Sequence, residues 1–296
     1  MKDILNKALQ SSWMIVKLVV PFAVGIDILN YLGVIDKVSF LFEPITEILG
    51  LPAGVALALA AGFFFNLYAG IAVAASLGLN GFEWTIVGTF LAICHSIPLE
   101  VAVLKKVGFP VIPHSIIRLI AGLLGGILAA SIISPDLVQI TNEVVVSQKS
   151  ETFWTMIITS IKNSIYLTAK IILLVTVLIF LFELLRNWKP VEKYLDKHTY
   201  LSSLLVGGLL GVTYGAGILL KDMKSVDPKH KMYLLTFLML AHGLIEETLL
   251  FGLFHADLLA IFGIRLGIAI IGVLLIYIYS TLQISKKVNP SSKFSH

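Results

Sequence analysis

Apolar segments near 13–34, 51–79, 84–104, 113–134, 164–186, 201–220, 231–253 and 264–283 recur along the chain with short polar joints between them. A hydrocarbon layer about 30 Å thick takes roughly 20 apolar residues per helix, and within lipid every backbone N–H and C=O must find a partner inside the protein. Long unbroken runs of this kind specify helices rather than the short alternating strands of a barrel. Composition agrees, since 57% of the 296 residues are hydrophobic and 14% are charged, against about 25% charged in an ordinary soluble domain. The expectation is an all-α polytopic membrane protein with no room for a separate soluble domain. Basic residues precede the first apolar run, but no clear small-residue cleavage site follows it, so the start reads as a retained helix. The single cysteine, Cys94, lies in an apolar segment. It can form no intrachain disulfide and reads as a structural thiol.

Two joints differ from the rest. Residues 38–50 and 187–200 mix apolar and charged side chains in pieces too short to span, the pattern of helices lying in the interface. The loop 135–152 is the one long polar joint and divides the chain nearly in half. The division predicts a first repeat over 1–135, a linker over 136–155 and a second repeat over 156–296.

A shared motif supplies the register between the halves. CHSIPLE at 94–100 aligns with AHGLIEE at 241–247, which places His95 on His242 at an offset of 147. With that offset held fixed, AGI at 69–71 falls on 216–218, TFL at 89–91 on 236–238, Glu100 on Glu247, and Arg118-Leu119 on Arg265-Leu266. Ten of 51 positions agree without a gap. The matches include His, Glu and Arg, which are rare in this chain, so the similarity exceeds what a shared taste for Leu and Ile would produce.

Positive charge orients the spans, because loops on the cytoplasmic side carry the excess of Lys and Arg. With the N-terminus inside, eight plain crossings put 11 basic residues in inner loops and 7 in outer ones. If 51–79 and 201–220 are instead re-entrant hairpins, 15 fall inside and only Lys37, Lys149 and Lys162 outside. Each half then holds three transmembrane helices, a re-entrant hairpin and an interfacial helix. Three crossings per half make the two repeats inverted, with both termini cytoplasmic in a cell membrane. The five glycines of 201–220, and Pro52, Asn66 and three glycines in 51–77, suit irregular backbone buried at membrane depth. Close helix packing is the other reading of those glycines.

Ionisable side chains inside such spans are costly and mark candidate solute or ion pathways. His95 and His242 fall near the middle of their segments, at positions related by the repeat. Glu246 follows His242 by four residues, on the same helical face, while its repeat equivalent is Leu99. Five residues on an ideal helix amount to about 500°, so His95 and Glu100 are expected on different faces, with Pro98 able to kink the turn. Glu100 with Arg118, and Glu247 with Arg265, are expected to pair across adjacent helices as structural clamps. Asn66 and Tyr68 in the first hairpin, and Thr213 and Tyr214 in the second, complete the candidate substrate-binding set together with His95, His242 and Glu246. Lys17, Asp27, Asn30, Lys170 and Glu183 are further polar residues at depth. No phosphate-binding loop, zinc-protease helix, nucleophile elbow or CxxC pair is present. No enzyme, cofactor, resident metal or nucleic-acid partner is expected.

CHSIPLEVAVLKKVG followed by IIRLIAGLLGG, and AHGLIEETLLFGLF followed by IRLGIAIIGVLL, resemble the nucleoside-recognition or Gate domain family of membrane proteins. The resemblance covers nearly the whole chain as two copies. That family is similar in its core to concentrative nucleoside transporters, with inverted repeats and re-entrant hairpins, and it has relatives within ferrous-iron permeases and spore-maturation proteins. The resemblance implies a transporter of a small polar solute, such as a nucleoside, working by alternating access with proton or sodium coupling. It leaves room for a homo-oligomer. Two other classes stand beside it: a divalent-metal permease, with His95, His242, Glu246 and Cys94 as ligands, and a non-transporting membrane scaffold or partner protein.

Overall fold

A computed structural model describes residues 2–34, 43–106, 108, 110–133, 152–189 and 227–288. The second hairpin, with Thr213 and Tyr214, and most of the second interfacial piece and of the linker lie outside the described residues. The described chain is α-helical apart from turns. Its long helices are α1 (Lys2–Tyr31), α5 (Gly81–Ile93), α7 (Val111–Ile132), α8 (Phe153–Arg186), α9 (Pro228–Ala241) and α11 (Leu258–Val288). Shorter ones are α2 (Glu43–Ile48), α3 (Val55–Phe64), α4 (Leu67–Ala75), α6 (Ile97–Lys106) and α10 (Glu246–Phe251).

Six stretches of the described chain are long and apolar enough to cross a membrane: Ala8–Tyr31, Gly81–Ala102, Val111–Ile132, Phe153–Leu185, Lys229–Phe254 and Leu258–Leu282. This is an all-α polytopic membrane protein. Two of the six stand apart. The most apolar windows of Gly81–Ala102 and Lys229–Phe254 are each 72% buried, whereas the other four range from 22% to 33%. The pair therefore forms the centre of the bundle, and the outer helices turn large apolar side chains such as Leu124, Ile165 and Leu275 outward.

The two central stretches are not continuous helices, and in the first the interruption falls just before Pro98, where the sequence allowed a kink. The first stops at Ile93 and restarts at Ile97, and the second stops at Ala241 and restarts at Glu246. Pro98 accounts for the first interruption, because a proline inside a helix removes a donor and its ring clashes with the carbonyl four residues earlier. Gly243 marks the second, with φ of +63, a conformation glycine adopts without strain.

Local structure follows the 147-residue offset closely. Asn80 caps α5 and Asp227 caps α9; Ser96 and Gly243 are both left-handed; Gly108 and His255 are both left-handed ahead of α7 and α11. Outside the central pair, α1 packs along α8, α7 against α5, and α11 against α9.

Residues 51–79 fold as a helix–break–helix unit rather than a single span. The chain interrupts at Phe65 and Asn66, where the Asn66 side chain accepts a hydrogen bond from the Ala69 N–H at 2.9 Å and so caps α4. The helices touch backbone to backbone at Gly62 and Gly70. A Cβ on Gly70 would lie 3.0 Å from the Gly62 Cα and 3.1 Å from the Ala58 carbonyl oxygen, so only glycine permits this approach.

Candidate functional site

The two helix breaks meet in the interior, and the His, Glu and Arg residues shared by both repeats converge there. At the first break Cys94 N–H still donates to the Phe90 carbonyl at 2.8 Å, but Ser96, with φ of +54, turns the chain out of α5. Its N–H donates to the Gly62 carbonyl at 2.9 Å, which ties the end of α3 to the break, and its own carbonyl accepts from the Glu100 N–H at 3.0 Å to begin α6. At the second break the Gly243 carbonyl accepts from the Glu247 N–H at 2.9 Å in the same way.

A helix ending inside a membrane protein leaves carbonyls without partners. Two arginines supply them. Arg118 on α7 donates from Nε to the Ile93 carbonyl at 2.8 Å and from Nη1 to Glu100 Oε2. Arg265 on α11 donates from Nε to Leu240 at 3.4 Å, from Nη1 to Gly243 at 3.5 Å, and from Nη2 to the His242 carbonyl and, at 2.5 Å, to Glu247 Oε2. Both are almost completely buried, at 1% and 0% exposure. The arrangement agrees with the helix dipole, which favours cations at C-termini and carboxylates in first turns.

The histidines sit between these pairs. His95 Nδ1 donates to the Leu91 carbonyl at 2.7 Å and His242 Nδ1 to the Leu238 carbonyl at 3.0 Å. Their Nε2 atoms face each other at 3.3 Å. Glu100 Oε1 lies 3.4 Å from His242 Nε2, and Glu247 Oε1 lies 3.5 Å from each of the two histidines. The expectation that His95 and Glu100 point to different faces is corrected here. It assumed one ideal helix through both residues, and the left-handed turn at Ser96 resets the rotation so that the glutamates join the histidine centre while holding the arginines.

The other candidates are dispersed. Glu246 is half-buried beside Glu247 at the start of α10. Asn66 caps α4, and Tyr68 packs against the main hydrophobic cluster. The Cys94 side chain faces Gly122, whose added Cβ would come within 2.8 Å of the Cys94 Cβ.

A second feature escaped the candidate set. A cavity of about 180 Å³ opens among α1, α4, α5, α8 and the turn at 252–255, lined by Asp27, Ser76, Trp84, Ser160, Asn163 and Lys170 among others. Trp84 and Phe254 stack beside it with ring centroids 3.9 Å apart, and the buried Ser160 hydroxyl has no hydrogen-bond partner among the described residues. The signal was present in the sequence. Ser160, Asn163, Ser164 and Leu167 follow i, i+3, i+4, i+7 spacing on α8, which puts three polar side chains on one face of an apolar helix.

Comparison with known proteins bears on this geometry, since α1 through the first break form one continuous stretch. Residues 12–109 match the Gate family, described as nucleoside recognition. The Gate match contains His95 and Glu100 and ends before Arg118. The chain is also 27% identical over 263 residues to YvoD of Bacillus subtilis (strain 168), described as an uncharacterized membrane protein, with 82% of each chain covered. No solved structure matches.

Proposed function

We propose that the protein is a membrane transporter of a small polar solute, with a nucleoside as the first candidate, working by alternating access. The observation that carries this reading is the meeting of two interrupted helices at the centre of the bundle. Such interruptions place unpaired backbone groups and ionisable side chains at depth, which is how secondary transporters build solute and ion sites. A rigid scaffold would be served better by unbroken helices. The cavity beside α8 is the proposed solute site: hydroxyl and amide groups from Ser76, Ser160 and Asn163 suit a polar ligand, and the Trp84 ring offers an apolar wall. The histidine centre lies apart from it. The Gate description is the reason to test nucleosides first.

The decisive experiment is uptake of labelled nucleosides into proteoliposomes under an imposed proton or sodium gradient. Uptake should require the gradient, and Ser160→Leu, which fills the cavity, should abolish it while folded yield stays unchanged. Wild-type vesicles that accumulate no nucleoside under either gradient would remove the nucleoside assignment; normal uptake by Ser160→Leu would remove the cavity.

The inverted arrangement of the two repeats belongs to the same proposal. It accounts for the 15 to 3 distribution of basic residues and for an odd number of crossings per half. Single cysteines at Asn80 and Asp227, introduced in a Cys94→Ser background, should label from opposite sides of the membrane. Labelling of both from one side would sink the inversion.

A further inference from the structure

We propose that His95, His242, Glu100 and Glu247 form a binding site for one divalent transition-metal ion at the meeting of the two helix breaks. The argument starts from the ring protons. A backbone carbonyl can only accept, so the contacts of 2.7 Å and 3.0 Å to Leu91 and Leu238 fix the proton of each neutral imidazole on Nδ1. Each Nε2 then presents a bare lone pair. The two lone pairs face each other across 3.3 Å, with Glu100 Oε1 at 3.4 Å from one and Glu247 Oε1 at 3.5 Å from both. All four atoms are acceptors. A buried knot of lone pairs is repulsive until a cation sits among them.

The spacing selects the kind of cation. Around a tetrahedral ion with metal–nitrogen and metal–oxygen bonds of about 2.0–2.2 Å, neighbouring ligand atoms are separated by roughly 3.3–3.5 Å. The four separations above fall in that range, while the ligand atoms of Glu100 and His95 lie within a looser 4.8 Å of each other and draw in as the ion binds. Imidazole and carboxylate together suit zinc, iron, cobalt or nickel, whereas calcium and magnesium take oxygen alone. The supporting contacts are those of a metal centre as well, since ligating histidines hold their second nitrogen on a carbonyl or carboxylate and ligating carboxylates are themselves hydrogen-bonded. Each glutamate keeps Oε2 on its arginine and turns Oε1 to the centre. The guanidiniums thus lie behind the carboxylates, and the ion meets negative oxygen first.

The proposal stands independently of solute transport, because binding is read on purified protein. Full-length protein in detergent, stripped with a chelator, should take up one Co²⁺ or Zn²⁺ per chain, show the intense visible absorption of tetrahedral Co²⁺, and melt at a higher temperature as Zn²⁺ is added. His95→Ala and His242→Ala should each lose the saturable binding; His230→Ala, at the exposed start of α9, should keep it. Octahedral Co²⁺, retention of the ion by both histidine variants, or its loss in His230→Ala would overturn the site. A lone proton shared between the rings would also overturn it, and would appear as no metal uptake across the pH range of the stable protein. If the variants fail to fold, the wild-type Co²⁺ spectrum and stoichiometry still decide.

Discussion

At the first helix break the left-handed residue is Ser96, and at the second it is Gly243. Ser96 is held by the Gly62 carbonyl of the hairpin, and Arg118 behind it donates to the Ile93 carbonyl and to Glu100, while its buried Nη2 has no hydrogen-bond partner among the described residues. Around Gly243, Arg265 satisfies three carbonyls and a carboxylate. The same charged residues at the same offset are therefore secured in different ways. Among the described residues, the first break is tied to a neighbouring element and the second to its arginine.

The comparison predicts unequal losses. Arg265→Met should lower folded yield and melting temperature the most, by about 3–5 kcal/mol, because it leaves Glu247 charged and unpaired and three carbonyls with fewer donors. Arg118→Met should lose less. Arg265→Met combined with Glu247→Leu should recover much of the single-variant loss, and equal damage from the two arginine variants would erase the distinction.

Exchange at the left-handed residues should give unequal effects. A Cβ at Gly243 would meet the Glu247 carboxylate at 2.7 Å and take on the left-handed penalty of roughly 1–2 kcal/mol, so Gly243→Ala should be clearly destabilising by thermal unfolding. Ser96→Gly relieves that penalty but adds flexibility to the unfolded chain, and should stay within about 1 kcal/mol of wild type. A large loss in Ser96→Gly would show that its hydroxyl, rather than its backbone, holds the first break.

At the hairpin that fastens the first break, Asn66→Ala removes the cap of α4 and should cost about 1 kcal/mol, measured as earlier proteolysis or lower melting temperature. The smallest effect belongs to the paired N-caps, Asn80 in one half and Asp227 in the other. A hydrogen bond from the His230 ring, with those from the Lys229 and His230 N–H groups, holds the exposed Asp227 carboxyl below the usual carboxylate range. A depressed carboxyl contributes its stability above its unfolded value and loses it as pH falls through the folded value. Asp227→Asn should fall slightly below wild type near neutrality, converge with it in acid, and so flatten the acid limb of the stability curve. An unchanged acid limb would place that sensitivity elsewhere.

Hydropathy made six of the spans legible, because burial in lipid constrains residue type over 20 positions at once. The breaks were harder to see. Pro98 signalled one, but Gly243 reads equally well as a packing glycine, and a single left-handed residue leaves no periodicity. Treating 94–100 as one helix hid the contact between the glutamates and the histidines, although the His, Glu and Arg involved stood out through the repeat. The polar face of α8 was legible at i, i+3, i+4 spacing, but Ser160, Asn163 and Ser164 have no counterpart in the repeat that marked the other candidates.

The bond from Ser96 N–H to the Gly62 carbonyl has a mechanical consequence. The hairpin and the first break are latched, so a swing of α3 and α4 would drag the handover between α5 and α6 and rotate Glu100 with it. Among the described residues, no bond of this kind joins that hairpin to Gly243. Motion of this hairpin would therefore work like a crank, displacing the Glu100 carboxylate against the Glu247 carboxylate that Arg265 holds.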